Sequence, residues 1–296
     1  MSEVLVLVVG GTGMLGSQVV DRLIARGKRV RALVRPASQA GQLAAAGVEL
    51  AIGDLLEPET LRVALDGVDA IVTSAAGYTG HTPGDTIETD RTGNLNLINE
   101  AAKAGVRRFV LTSILTCDQT PDIPHFWAKK LAEDALAERG VPFVALRPGA
   151  FVDDFGMWGG DGFAIGRVTM MGDSTVPLTR VYTPDLADNL AAAVDADVST
   201  GERVDIGWDR PLSARELAEI AGRILGRDLE LVELDPAQIR IPDMSDEART
   251  DLVAMFEYFR SGRYVADTRR QAEVFGSVPV AEETMRRRLA ALGHVA

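Results

Sequence analysis

The sequence predicts an α/β fold, a doubly wound parallel sheet with a smaller C-terminal α+β part. Three observations predict it. Strand-like apolar runs alternate with amphipathic helical patterns through the first half of the 296 residues, as repeated βαβ units require. Several of those runs are apolar almost throughout, as strands are when helices cover both faces of a parallel sheet. A glycine-rich turn, GGTGMLG at 10–16, directly follows the first run and directly opens the first helical pattern, which is the context that gives such a turn meaning.

In chain order, VLVLVV (4–9) is a short apolar run, too short to span a bilayer. GSQVVDRLIARG reads as the helix behind it. RVRALV (29–34), VELAI (48–52), AIVTSA (70–75), RFVLTS (108–113) and PFVALR (142–147) are further strands. Helical patterns such as NLNLINEAAKAG and PHFWAKKLAEDALAERG (124–140) lie between them. After Pro148 the pattern changes: FVDDFGMWGGDGFAIGRVTMMGD is rich in Gly, Met and aromatics and has no clean period. TPDLADNLAAAVD reads as a capped helix, and RVDIG as a strand near 203–207 that rejoins the sheet. SARELAEIAGRILG and LELVEL form one more helix–strand pair, and the C-terminal third is mainly helical. Residues 1–152 are therefore expected to hold the nucleotide-binding domain and 153–296 the smaller substrate-binding part. No Pro/Ser linker separates them.

The net charge of -12 repels phosphate backbones and anionic lipid surfaces, which argues against nucleic-acid and membrane partners. A lone cysteine, Cys117, permits no internal disulfide and fits a reducing, cytoplasmic setting. No signal-peptide cleavage region follows the first apolar run. A metal is not expected; the expected partner is a small-molecule substrate. The oligomeric state is open.

Gly10, Gly13 and Gly16 give the spacing GxxGxxG, with Thr12, Met14 and Leu15 completing the loop. Glycines let the backbone turn tightly and approach a pyrophosphate, which the helix N-terminus then receives with free N–H groups and partial positive charge. The alternative is a strand–helix turn that binds nothing. An NAD site carries Asp or Glu about 20 residues beyond the glycines. Arg35 holds that place here, with Arg31 earlier on the strand and no acid at the strand end. A guanidinium there can grip a 2′-phosphate, so NADP(H) is the expected cofactor. A solvated surface arginine is the alternative.

GGTGMLG, VRALVR, GVELAIGDL and LRPGAF together resemble the NmrA-like family of atypical short-chain dehydrogenases/reductases, with an NAD(P)-binding Rossmann fold. The resemblance covers most of the chain and is densest over about the first 150 residues. It implies that Asp54 and Leu55 meet the adenine, and that Thr73, Ser74, Ala75 and Ala76 lie along the nicotinamide ribose. Asp54 could equally cap the helix in LEPETL.

Typical short-chain dehydrogenases carry Tyr-x-x-x-Lys on the fifth helix, with a serine after the fifth strand. The tyrosine handles the carbonyl proton and the lysine binds the ribose. Lys129 matches that lysine, and Glu133 and Leu136 follow at the family spacing, but His125 stands where the tyrosine should be. Residues at i and i+4 share a helix face, so His125 and Lys129 can face one pocket. Lys129 could instead pair with Glu133, and Lys130 with Asp134; Lys130 reads as a solvated passenger. The missing tyrosine leaves three sources for the proton: His125 itself, Tyr78 or His81 in the loop GYTGHTPGD, or no protein acid, as in hydride delivery to a conjugated C=C, an imine or a quinone. Ser113 fits the serine position loosely and could simply cap a strand end.

Phe126, Trp127, Phe151, Phe155, Met157, Trp158, Phe163, Met170 and Met171 crowd the segments expected to flank the nicotinamide, in a chain only 5% aromatic. Trp127, Phe151, Met157 and Trp158 are the candidates for an apolar, adaptable substrate pocket; core packing is the alternative. MFEYF (255–259) covers that pocket or belongs to the core. The sequence thus points first to an NADPH-dependent oxidoreductase of a small, mostly apolar molecule. A non-catalytic redox sensor is the rival, and a nucleotide-sugar epimerase, which needs the tyrosine, comes third.

Overall fold

The structure, a computed structural model, describes residues 4–77, 86–238 and 244–295. Tyr78 and His81 therefore lie outside the described residues. In chain order the elements are β1 (Leu5–Val9), α1 (Met14–Ala25), β2 (Arg29–Val34), α2 (Gly41–Ala45), β3 (Glu49–Ile52), α3 (Pro58–Ala64), β4 (Ala70–Thr73), α4 (Asn94–Ala104), β5 (Arg108–Thr112), α5 (Pro124–Glu138) and β6 (Phe143–Pro148). There follow β7 (Ala150–Phe151), α6 (Gly162–Ile165), β8 (Arg167–Met171), β9 (Arg180–Val181), α7 (Thr183–Ala193), β10 (Glu202–Ile206), α8 (Ala214–Leu225), β11 (Glu230–Leu234), α9 (Asp246–Arg260), α10 (Arg269–Phe275) and α11 (Ala281–Ala291). A π-helical stretch, Thr86–Gly93, runs directly into α4.

Seven strands form one parallel sheet in the order β10-β6-β5-β4-β1-β2-β3. The order reverses between β1 and β4, and ligands of such sheets bind at the carboxyl ends of the strands on either side of that reversal. β1 and β4 are buried along their whole length, which is why their sequences show no alternation. One face packs against α1 and α7 through Val19, Val20, Leu23, Leu186 and Leu190. The other packs against α3, α4 and α5 through Leu61, Leu97, Ile98 and Leu136. β10 pairs with β6, and α7 packs on α1, so the later half of the chain contributes a strand and a helix to these layers. The predicted cap of α7 comes from a distant residue: the Thr183 N–H donates to Asp153 Oδ2 at 3.1 Å, and the N-cap Tyr182 makes no side-chain cap bond.

The remaining chain makes two short parallel pairs, β8–β11 and β7–β9. One apolar cluster joins Phe155, Phe163, Trp208 and Leu212 to α8 and α11. A second joins Leu115, Ile123, Phe126 and Leu178 to Tyr258, Phe259 and Tyr264, and so fastens α9 over the start of α5.

Candidate functional site

The turn between β1 and α1 has little room. Gly10 has φ +88, and a Cβ there would meet Ser74 Oγ at 2.9 Å. A Cβ on Gly16 would stand 2.0 Å from the Gly10 carbonyl oxygen. Gly13 is the N-cap of α1, which has no side-chain cap bond and no acid in its first turn. The first helical bond in this turn is Ser17 N–H to Gly13 O, at 2.9 Å. The preceding N–H groups of the helix are thus left for a ligand. Thr12 and Met14 are exposed, while Leu15 is half-buried and packs on the core.

At the end of β2, Arg35 is exposed and makes no ion pair or side-chain hydrogen bond with a described residue. Arg31 is committed elsewhere: it pairs with Glu49 and donates to the Ala64 and Asp66 carbonyls at 2.8 and 2.7 Å. Asp54 does not cap α3. Its Oδ1 accepts from the Leu56 N–H at 2.9 Å, a local turn, while the N-cap position belongs to Glu57. The Leu55 side chain is buried and its carbonyl accepts from Asn96 Nδ2 at 3.0 Å. Ser74 and Ala75 are half-buried at the end of β4, beside Gly10.

Lys129 reaches this same strand end. Its ammonium donates to the Ala75 carbonyl at 3.1 Å and stands 3.1 Å from Asp90 Oδ1. Asp90, on the π-helical stretch, is 1% exposed, and its other oxygen accepts from the Gly77 N–H at 2.9 Å. The predicted alternative for Lys129, a pair with Glu133, does not form. Lys130 does pair with Asp134, at 2.5 Å.

Glu133 is fully buried and belongs to a different network. It accepts from Arg147 at 2.9 and 2.7 Å, from Arg203 at 2.6 Å and from the Ser113 hydroxyl at 2.6 Å. Burial pushes its carboxyl up, but the bonds and charge of Arg147, then Ser113 and Arg203, outweigh that and hold it below the usual carboxylate range. Ser113 is thus tied to a structural acid. Burial, with Glu133 adding to it, pushes the Cys117 thiol up to about 12, so it stays protonated.

His125 is 2% exposed. Its Nδ1 lies 2.7 Å from Asp251 Oδ1, and its backbone N–H donates to Asp251 Oδ2 at 3.2 Å. Asp251 comes from α9, and no spacing in the sequence could have named it. The Phe126 ring packs on the Tyr264 ring with centroids 5.8 Å apart. The aromatic residues divide. Phe126, Phe155 and Phe163 are core, whereas Trp127, Met157 and Trp158 are half-buried and Phe151 is 40% exposed. Among the described residues no cluster of three or more His, Cys, Asp or Glu could hold a metal, and no helix is long and apolar enough to cross a membrane.

An open glycine turn, an uncapped helix start and an unpaired arginine at the end of β2 suit a dinucleotide, and comparison with known proteins agrees. Residues 10–197 match the family described as NAD(P)H-binding. The chain is 30% identical over 293 residues to a photosystem II assembly factor, Ycf39, of Synechocystis sp., covering 95% of this chain and 88% of that one. It is 31% identical over 265 residues to an NAD(P)H azoreductase of Xenophilus azovorans, covering 85% and 87%. The fold matches that of a Citrobacter sp. triphenylmethane reductase complexed with NADP(H), at a TM-score of 0.77 and 21% identity over 96% of this chain and 100% of that one. By its family match the chain belongs to the NAD(P)H-binding, NmrA-like family of atypical short-chain dehydrogenases/reductases.

Proposed function

We propose that this protein is an NADPH-dependent reductase of a small, mostly apolar acceptor: a quinone, enone, imine or ketone. The observation that carries this reading is the buried Lys129 ammonium at the end of β4, fixed between Asp90 and the Ala75 carbonyl. Gly10–Gly16 and the start of α1 would hold the pyrophosphate, Arg35 the 2′-phosphate, and Lys129 the nicotinamide ribose. Bound there, the cofactor supplies a hydride. Lys129 adds positive potential where negative charge develops on the acceptor. Asp251 Oδ1 holds His125 at Nδ1 and so orients the ring; as proton donor, His125 would act through Nε2. Trp127, Met157 and Trp158 are half-buried and Phe151 is exposed; on this reading they would supply the apolar surface for a flat acceptor.

A sensor or assembly role is the second reading. The burial of His125 against Asp251 favours it, as does the likeness to a protein named as an assembly factor. Stopped-flow oxidation of NADPH against quinones, enones, imines, azo dyes and ketones separates the two. Turnover of any class supports the reductase; tight NADPH binding with no oxidation across the panel supports the sensor. In the reductase, His125→Phe lowers turnover by roughly 10²–10⁴-fold with cofactor affinity unchanged. Full turnover in that variant moves the acid to Tyr78 or to water.

A further inference from the structure

Three arginines are buried among the described residues: Arg147, Arg180 and Arg288. Two have partners, though Arg288 keeps one buried nitrogen, Nη1, without a bond. Arg147 pairs with Glu133 and Asp118. Arg288 donates to the Asp153 and Phe155 carbonyls and lies 5.2 Å over the Phe163 ring. Arg180, on β9, is 8% exposed, yet no carboxylate of a described residue is within ion-pair reach. Its one side-chain bond runs from Nε to the Leu212 carbonyl, at 3.3 Å. Its two terminal nitrogens are neither bonded nor sealed among the buried orphan atoms. Burial brings the guanidinium down to about 10, and Tyr264 is the titratable group that faces it. It is therefore still a cation at neutral pH, and a buried cation without an anion is strongly unfavourable.

The surroundings indicate what would offset that cost. Leu178 and Arg180 are two positions apart on an extended segment and so share a face. Leu178 belongs to the aromatic cluster with Phe126, Phe259 and Tyr264. In register with Arg180 on the neighbouring strand is Ala150, whose small side chain is half-buried and packs at the edge of the same cluster. Arg180 is thus a lone charge on an apolar, aromatic wall, and its terminal nitrogens are not wholly sealed from solvent. A small inorganic anion would use the hydrogen-bonding fork but not the wall. An aromatic body bearing a carboxylate would use both the fork and the wall.

We propose that Arg180 is the docking group for a carboxylate-type anion on an otherwise aromatic substrate. This deepens the reductase reading, on which the word substrate rests; the test below reads binding alone, so the two can fail separately.

The probes are naphthalene-2-carboxylate and naphthalene-2-carboxamide, equal in shape and different in charge, titrated calorimetrically into the NADP⁺-loaded protein. The carboxylate binds about 10- to 100-fold more tightly, the range of a charge-assisted hydrogen bond. Arg180→Met removes that preference, leaves the carboxamide and NADPH affinities in place, and does not lower the melting temperature, because an apolar side chain relieves the buried charge. Should that variant fail to fold, Arg180→Lys keeps the charge, loses the fork, and shows a reduced preference. Equal affinity for the two probes in the parent protein overturns the proposal, as does a preference that survives in Arg180→Met. Inorganic phosphate that displaces the carboxylate at comparable concentration overturns it too, since the wall then contributes nothing.

Discussion

The carboxyl edge of the sheet runs from a region left open to one that answers its own needs. Around β1, β2 and α1, polar groups wait for a partner: the first N–H groups of α1 lie uncapped, and Arg35 pairs with nothing described. Around α5, β6 and β10 the protein supplies its own. Glu133 alone takes bonds from Arg147, Arg203 and Ser113. The first region is shaped to be completed by a ligand and is built by residues close in sequence. The second holds α5, and so Lys129, in place, and is built by residues far apart. The buried Lys129–Asp90 pair stands at the boundary between the two.

Four experiments would break or sharpen this contrast. The largest effect belongs to Gly16→Ala. Its Cβ would stand 2.0 Å from the Gly10 carbonyl oxygen, so the turn must open. NADPH binding, followed by fluorescence, falls below detection while the far-ultraviolet dichroism is kept; an affinity close to the parent's would show that the turn is no cradle.

Next comes Glu133→Ala, which removes the buried carboxylate that Arg147 and Arg203 share and costs about 3–5 kcal/mol of stability in urea melts. The parent also carries a pH signature. The folded Glu133 carboxyl lies below the 4.5 of an unperturbed glutamate. Its contribution is therefore complete above about pH 4.5 and lost as pH falls through the lower folded value. Glu133→Gln flattens that acid limb, and an unchanged slope would refute the coupling.

Arg35→Asp acts on the open region alone. It weakens NADPH binding by about 1.5–3 kcal/mol, leaves NADH binding no weaker, and does not alter melting. Equal NADPH and NADH affinities in the parent would remove the role of Arg35. The smallest effect is that of Lys130→Ala, which breaks a partly exposed pair with Asp134 and changes stability by no more than about 0.5 kcal/mol. Beside it, Lys129→Ala measures what its neighbour does for the cofactor.

The same contrast explains what could be read from the sequence. The sheet, the glycine turn and Arg35 were legible because each is a local pattern: continuous apolar runs, spaced glycines, a missing acid at a strand end. The helix that carries Lys129 was legible through its resemblance to a known one. Asp90 was not, since nothing local marks an aspartate whose partner is 39 positions away. Asp251 and Arg180 were harder still, because their meaning comes from burial and from which strand or helix lands beside them. The aromatic residues illustrate the limit. Phe126 and Trp127 are adjacent in sequence, yet one is core and the other half-open, and only the packing of α9 decides which.

The pair between His125 and Asp251 joins positions 126 apart. On a ribosome adding about 5–20 residues each second, the second partner follows the first by roughly 6–25 s. During that interval the nucleotide turn is already made, while the aromatic cover and the carboxylate that steadies His125 are still unwritten. On the proposed reductase reading, the newborn chain passes through a stage with the cofactor turn complete and His125 not yet steadied. Proteolysis of chains arrested before and after Asp251, with and without NADPH, would time the end of that stage.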